Sequence, residues 1–264
     1  MSSPRTLLGG LSYFEYQQRV CRDVVIPWLA KHVPLAGRHV GDFGAHHGGM
    51  VHALRESGIV AAAVGLELSE EIVSSSPFVA DDRFRLEVAD VTSLGDEVDH
   101  FDLILLHDVL EHMPDLDRSI HAVRDQLRPG GRVFVSFPPY YSAFGGHQQL
   151  ARGPARNVPF IHVLPTTLFL HLAQPGEQEY MSARGSLADM LSVRRARLTL
   201  GKAERAFSRS GFEVVESEFF LVRPEYTVRY GLKARTSGVL GRLPGIREIL
   251  ANGAFYLLRH SSSL

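Results

Sequence analysis

Three acids stand at the ends of short apolar stretches early in the chain. They are Asp42 in RHVGDF (38–43), Glu67 in IVAAAVGLE (59–67) and Asp90 in RFRLEVAD (83–90). As strand ends they share one edge of a sheet, the edge at which open α/β sheets bind ligands. Glu67, followed by Leu68, lies about 20 residues beyond the first strand, where an acid accepts both hydroxyls of a ribose. Asp90, followed by Val91, is placed to receive the exocyclic amine of an adenine. After Asp42 comes the turn Gly44-Ala45-His46-His47-Gly48-Gly49. Its glycines let backbone approach a ligand, and a helix opening there offers free N–H groups. It is neither a G-x-G-x-x-G, because His46 takes the second glycine slot, nor a P-loop, because it lacks G-K-[ST]. Taken singly, each feature also reads as a plain connection or a surface acid, so the coincidence of three acids carries the inference.

Histidine is the second chemical resource. Of 13, those expected on the same edge are His46, His47, His107, His112, His147 and His162. An imidazole of near-neutral pKa suits removal of a proton from an oxygen nucleophile. His147, in the loop PPYYSAFGGH (138–147), and His112, opening a helix, are the base candidates in that order, against the reading of each as a structural or solvated histidine. His107 follows the fourth strand and would cover a bound ligand. His107, Asp108 and His112 are neighbours, but no partner cluster with ligand spacing appears elsewhere, so no metal is expected. The single cysteine, Cys21, excludes an intramolecular disulfide framework and a multi-thiolate zinc site.

The elements that must position these groups alternate regularly. Residues 13–33 read as an amphipathic helix kinked at Pro27 and ended by Pro34. A strand (38–43), a helix (49–58), a strand (59–67) and a short helix capped by Ser69 (69–76) follow, then strands 83–90 and 101–108. A helix with a Pro-Gly-Gly stop (115–131) and a strand (132–137) come next. Apolar strands separated by helices imply a parallel sheet covered on both faces, doubly wound by right-handed crossovers. Residues 138–198 break the rhythm with no clean period. A helix (198–211), a long strand (212–224) and a final strand (254–260) resume it.

The chain has 264 residues, 45% apolar, with 28 Lys+Arg against 29 Asp+Glu. That is enough for a sizeable core and excludes wholesale disorder. Neither a signal-peptide layout at the start nor an apolar run of roughly 18 residues is present, so a cytoplasmic protein without a transmembrane segment is expected. Residues 1–137 hold 12 basic and 20 acidic side chains, and residues 138–264 hold 16 and 9. The second half is thus basic, either as a solvated face or toward something anionic. A nucleic-acid site would want a denser basic stripe, and no DNA partner is expected.

With these residues in place, the chain resembles the class I S-adenosylmethionine-dependent methyltransferases. VGDFGAHHGG looks like their first motif, GLELSEE the ribose-holding segment and EVADVTSL the adenine-binding segment. FDLILLHDVLEHMPD resembles the fourth strand of the small-molecule enzymes with its D-V-L-E-H signature, and LRPGGRVFVSFPP the following helix end and strand. The resemblance covers residues 38–137 in order and resumes at 199–222 and 254–260. It implies a Rossmann-like α/β fold with a doubly wound seven-stranded sheet of order 3-2-1-4-5-7-6, strand 7 antiparallel. It implies S-adenosylmethionine as cofactor, held by Asp42, Gly44, Ala45, His46, Gly48, Glu67, Leu68, Asp90, Val91 and His107. One domain, 1–264, is expected: a helical cap (1–37), a cofactor core (38–137), an acceptor lid (138–198) and a completing segment (199–264). The implied activity is methylation of a small organic acceptor, anionic or aromatic, more at oxygen than nitrogen or carbon, with His147 or His112 as base. The departure at His46 keeps a non-catalytic cofactor-binding protein open, and the basic second half keeps a macromolecular (RNA or protein) methyltransferase open.

Overall fold

Ser12 caps the first helix with a full capping box, its hydroxyl accepting from the Glu15 N–H while the Glu15 carboxylate accepts from the Ser12 N–H. In the computed structural model, which describes residues 11–94, 100–178 and 181–260, helix α1 (Tyr13–Val20) runs into a π turn (Cys21–Val25) and then α2 (Ile26–Leu29). The expected kink at Pro27 is met by this π turn, in which the Ile26 N–H reaches back five residues to the Cys21 carbonyl. The helix therefore absorbs Pro27 in its last turn and ends earlier than 33. The part of the expected cap within residues 1–10 lies outside the described residues.

The alternation follows: β1 (His39–Phe43), α3 (Gly49–Ser57), β2 (Ala62–Glu67), α4 (Glu70–Ser74), β3 (Phe84–Val88), β4 (Phe101–His107), α5 (Leu116–Asp125) and β5 (Leu127–Phe137). The segment after β5 carries α6 (Thr166–Leu172) and α7 (Ala183–Ala196). Then come α8 (Leu200–Arg209), β6 (Phe212–Val222), α9 (Glu225–Tyr230), β7 (Arg235–Thr236), α10 (Ile246–Leu250) and β8 (Gly253–His260).

Among the described residues one sheet holds these eight strands, in the order β3-β2-β1-β4-β5-β8-β6-β7. β1 through β5 are parallel, and β8 is antiparallel to both β5 and β6, with Val135 opposite Tyr256 and Phe219 opposite Ala254. The expected order is present, but the described residues form eight strands rather than seven. The chain after α9 folds back along β6 and adds the two-residue edge strand β7 against Phe220 and Val222. Nothing in the composition of Arg235–Thr236 announces a strand, since backbone pairing to a neighbour makes it.

Two further expectations change. The helix read as 115–131 stops at Asp125, and β5 starts at Leu127, opposite Phe101, before a register shift over Pro129–Gly131. Gly130, at φ 78°, makes this irregularity inside a strand rather than a helix stop. The aperiodic stretch 138–198 contains a 14-residue helix, α7, capped by Ser182. Its buried Ser186, Met190, Val193 and Arg194 lie on one face, a pattern that the surrounding arginines and polar residues hide.

Two apolar layers sandwich the sheet. On one side Val20, Trp28, Met50 and Leu54 pack over Leu103, Phe134 and Phe255. On the other, Ile120, Val123, Ala203 and Phe207 pack over Ile104, Val135 and Tyr256. Trp28 ties the first helix to the far strands, packing tilted against Phe134 and edge-on to Phe255 and donating its indole N–H to Glu218 at 2.8 Å. A third, smaller cluster (Leu150, Ile161, Phe169, Met190) holds the 138–198 segment together. Within the described residues no helix is long and apolar enough to cross a membrane.

Candidate active site

A cavity of about 700 Å³ opens at the carboxyl edge of β1–β4, within the range of small-molecule sites. Asp42, Gly44, His46, Glu67, Leu68, Asp90, Val91, His107, His112 and His147 all line it. Ala45 and Gly48 do not. Ala45 is buried, facing the position a Cβ would take on Gly65, and its carbonyl accepts from Gln17. Gly48 supplies the left-handed turn before α3, φ 74°. These two shape the cradle from behind.

The cradle is built tightly. A Cβ on Gly44 would lie 2.6 Å from Val109, and one on Gly49 would lie 2.5 Å from the Phe14 carbonyl. Gln17 spans the turn, donating to the Ala45 carbonyl at 3.0 Å and accepting from the Gly49 N–H. His46 adopts φ 52°, the left-handed conformation glycine would favour. Its ring packs edge-on to Tyr13 at 4.5 Å and meets Nδ1 of His47 at 2.9 Å. Burial, then His47, push its pKa down to about 3, so it is neutral and offers no positive charge to an anion.

The three acids differ in state. Glu67 accepts the His46 N–H at 3.0 Å and the Ser69 N–H at 3.0 Å, which fixes its carboxylate at the end of β2. Asp90 accepts the Thr92 N–H and hydroxyl, which hold its pKa below the usual value. Asp42 is 2% exposed, and its Oδ2 has no hydrogen-bond partner among the described residues. Burial lifts its pKa to about 7, although the nearby His107 works in the opposite direction. A buried carboxylate oxygen facing a cavity without a donor is an invitation to a cation or donor on a ligand. The α-ammonium of S-adenosylmethionine meets that need, so the residues fit the cofactor expected here.

Between the acids and the far strands lies a buried charge network that the sequence did not reveal. Arg223, at the end of β6, donates to both Asp108 oxygens (2.7 and 2.8 Å) and to Glu225 at 2.8 Å. His107 stands 3.3 Å from Glu225. Against the cost of burial, Asp108 and Glu225 hold His107 above its usual pKa. Asp108 and Arg223 are 115 residues apart, beyond any spacing rule.

At the other end of the cavity the two base candidates meet. His147 Nδ1 is 2.7 Å from Asp189 Oδ2, and its Nε2 is 3.7 Å from Glu111. His112 Nδ1 is 3.3 Å from Asp189 Oδ1 and 2.8 Å from the Ser192 hydroxyl. The two rings are 5.0 Å apart. Burial opposes charge on His147, but Asp189 and then Glu111 overcome it and raise its pKa to about 10. Glu111 is 1% exposed, with no hydrogen bond to either oxygen among the described residues. Asp189 was missed by sequence reading because its partner lies 42 residues upstream. Of the other edge histidines, His162 is buried against the Tyr140 carbonyl, and His47 pairs with His46. No metal was expected from the sequence. The structure does bring Glu111, His112 and His147, and separately His107, Asp108 and Glu225, within 4.8 Å of one another. His147 within the first group, and Arg223 bonded to Asp108 and Glu225 of the second, already bring positive charge to these acids.

The 138–198 segment carries six arginines, Arg152, Arg156, Arg184, Arg194, Arg195 and Arg197, which differ in how they are engaged. Arg194 is buried and spent on the carbonyls of His162 and Leu164, and Arg152 donates to the Pro175 carbonyl. Arg197 lies over Tyr140. Of the six, Arg156 alone lines the main cavity, beside Asn157, and it has no ion pair among the described residues.

A strand-edge cleft with a glycine cradle, a ribose-type acid and an orphaned buried carboxylate defines a nucleoside-cofactor enzyme of the doubly wound class. Residues 13–217 match the family model for a methyltransferase domain, so the chain belongs to that methyltransferase family, whose enzymes draw the methyl group from S-adenosylmethionine. Over 116 residues the chain is 28% identical to the ubiquinone biosynthesis O-methyltransferase of Coxiella burnetii (strain Dugway 5J108-111), covering 43% of this chain and 49% of that one. Over 120 residues it is 32% identical to the protein of the same description from Xylella fastidiosa (strain 9a5c), covering 43% and 47%. The chain thus spans about half the length of the curated relatives it matches. In fold it is similar to the S-adenosylmethionine-dependent methyltransferase of Mesorhizobium loti, with a TM-score of 0.52 at 20% identity over 88% of this chain and 96% of that one. It is likewise similar to the magnesium protoporphyrin IX methyltransferase of Synechocystis PCC 6803 with bound SAH, with a TM-score of 0.52 at 16% identity over 96% and 89%.

Proposed function

We propose that this chain methylates a hydroxyl on a small organic acceptor carrying an apolar body and an anionic group. The observation that carries the reading is the single cavity joining the Asp42–Glu67–Asp90 edge to the Asp189-held histidine pair. Glu67 and Asp90 would hold the ribose and the adenine, Leu68 and Val91 would flank the base, and Asp42 would face the ammonium. Bound there, S-adenosylmethionine supplies an electrophilic methyl group on a sulfonium. Methyl transfer to oxygen is then mainly a matter of alignment and of removing the acceptor's proton.

Residues 138–198 serve as the acceptor lid of a single domain. Phe144, Leu150 and Met181 give the cavity an apolar wall, and Arg156 meets the acceptor's anionic group. The order of the two bases inverts the sequence expectation. His147 is held as a cation by Asp189 and Glu111, so it orients and balances charge. His112 engages the protein through Nδ1, leaving Nε2 to accept the proton. A cytoplasmic setting accords with the buried free thiol of Cys21.

The test has two parts. Calorimetric titration with S-adenosylhomocysteine is expected to show at least 10-fold weaker binding by Glu67→Ala than by the wild-type chain. Equal binding would remove the cofactor assignment. With a panel of phenolic carboxylic acids, His112→Ala is expected to lower kcat by about 10²–10⁴, the usual span for a lost acid–base group, with S-adenosylhomocysteine affinity retained. An unchanged kcat would discard His112 as the base.

A further inference from the structure

A second recess, of about 360 Å³, lies between the end of α7, one face of α8 and the loop after β4. Its accessible apolar lining comes from Pro114 and Leu116, backed by the buried Leu110 and Leu198. Its rim is cationic, with Arg195 from α7 and Lys202, Arg205 and Arg209 from α8. The three α8 residues follow a three- and four-residue spacing, which puts them on one helix face. Arg209 is forked onto Asp117 at 2.7 and 2.9 Å, and Lys202 donates to the Ala196 carbonyl at 3.2 Å. Arg195 and Arg205 have no carboxylate partner among the described residues. Four cations therefore surround a concave, apolar-floored recess and meet one acid.

Gathered like charges repel, and an anion seated among them relieves that repulsion. Guanidinium groups present planar forks that match the oxygens of a phosphate, and a lysine adds a point charge. An inorganic anion alone leaves Pro114 and Leu116 wet, whereas an organic phosphate covers them with its apolar part. We propose that this recess binds the phosphate group of an organic phosphate ester whose apolar part lies over Pro114 and Leu116. Met113 and Pro114 line both this recess and the main cavity. The bound ester thus sits one side chain away from the acceptor end, on the far side of a wall that His112 adjoins. This site stands independently of the acceptor assignment, because none of its four cations lines the main cavity.

The full chain is titrated calorimetrically with hexyl phosphate and with inorganic phosphate at 150 mM salt, where weak surface attraction is largely screened. Saturable 1:1 binding of hexyl phosphate is expected, at least 10-fold tighter than inorganic phosphate. The double variant Arg195→Ala/Arg205→Ala is expected to weaken it at least 10-fold while binding S-adenosylhomocysteine as the wild type does, which reports that the variant is folded. Absence of saturable binding, equal binding of the two phosphates, or a double variant that binds normally would overturn the proposal. Co-sedimentation with phosphatidylglycerol vesicles separates the two sources of this chemistry. Sedimentation lost in the double variant assigns a lipid headgroup, and hexyl phosphate binding without sedimentation assigns a soluble ester.

Discussion

Asp189→Asn is expected to destabilise the fold by about 1–3 kcal/mol at neutral pH, less than the full cost of removing one partner from a buried ion pair because the Asp189–His147 pair is part-buried. Asp189 takes charge from two histidines, His147 and His112, and His147 is also faced by Glu111, with His162 adding weak repulsion. The folded pKa of His147, about 10, lies above its ordinary 6.5. The group therefore stabilises the fold fully below about pH 6.5, and that stabilisation is lost as pH rises through about 10. Denaturant titrations of the wild type should show stability falling across this window, by at most about 5 kcal/mol from the linkage of a pKa difference of this size. In Asp189→Asn the fall should be shallower, and the His147 ring should titrate at lower pH by NMR. Glu111 remains in the variant, so part of the elevation persists. Parallel stability curves for the two proteins would show that Asp189 does not hold the His147 charge.

Asp42→Asn is expected to move two measurements in opposite directions. The folded pKa of Asp42, about 7, lies above its ordinary 3.8. Between these values the folded chain keeps a proton that the unfolded chain has lost, so stability falls as pH rises through the window. Above about pH 7 the full penalty of an ionised, unpartnered, buried carboxylate is in place. Removing the charge should raise the melting temperature at pH 8 by several degrees, at about 2–4 °C per kcal/mol for a chain of this size. The gain stays below the linkage ceiling of about 4 kcal/mol, because the amide still lacks a partner. Affinity for S-adenosylhomocysteine should drop about 10- to 100-fold, the value of a hydrogen bond to a charged group. In the wild type, cofactor affinity should weaken as pH falls below about 7. A variant that is both less stable and unaltered in binding would mean that Asp42 is a structural residue.

What sequence reading could reach follows from the range of the forces involved. The strands β1 to β5 and the helices between them are written in local periodicity, and three acids at strand ends converge because parallel strands share one polarity. The cradle was legible down to His46, whose left-handed backbone explains how a residue with a side chain occupies a glycine slot. β7 was not legible, because two residues paired to β6 carry no pattern of their own. Gly130 was misread because a glycine after Pro129 signals a helix stop and a strand bulge equally well. The charge networks were out of reach for a different reason. Arg223 with Asp108, and His147 with Asp189, are paired only by the fold, and isolated charged residues look alike in a sequence. That blindness bears on the chemistry directly: the two carboxylates facing His147, Asp189 and Glu111, lie far from it in the sequence and carry the proposal that His112 rather than His147 is the base.

The position of β8 bears on how the chain assembles. This strand, late in chain order, sits in the interior of the sheet between β5 and β6. Until it arrives, β5 presents an apolar, unpaired edge, and the face of α2 that carries Trp28 lacks Phe255 to pack against. A chain lacking β8 would therefore lose the centre of its sheet, leaving two strand edges open to pairing with other molecules. Translation that stalls or terminates before residue 253 should yield aggregating rather than shortened, folded protein.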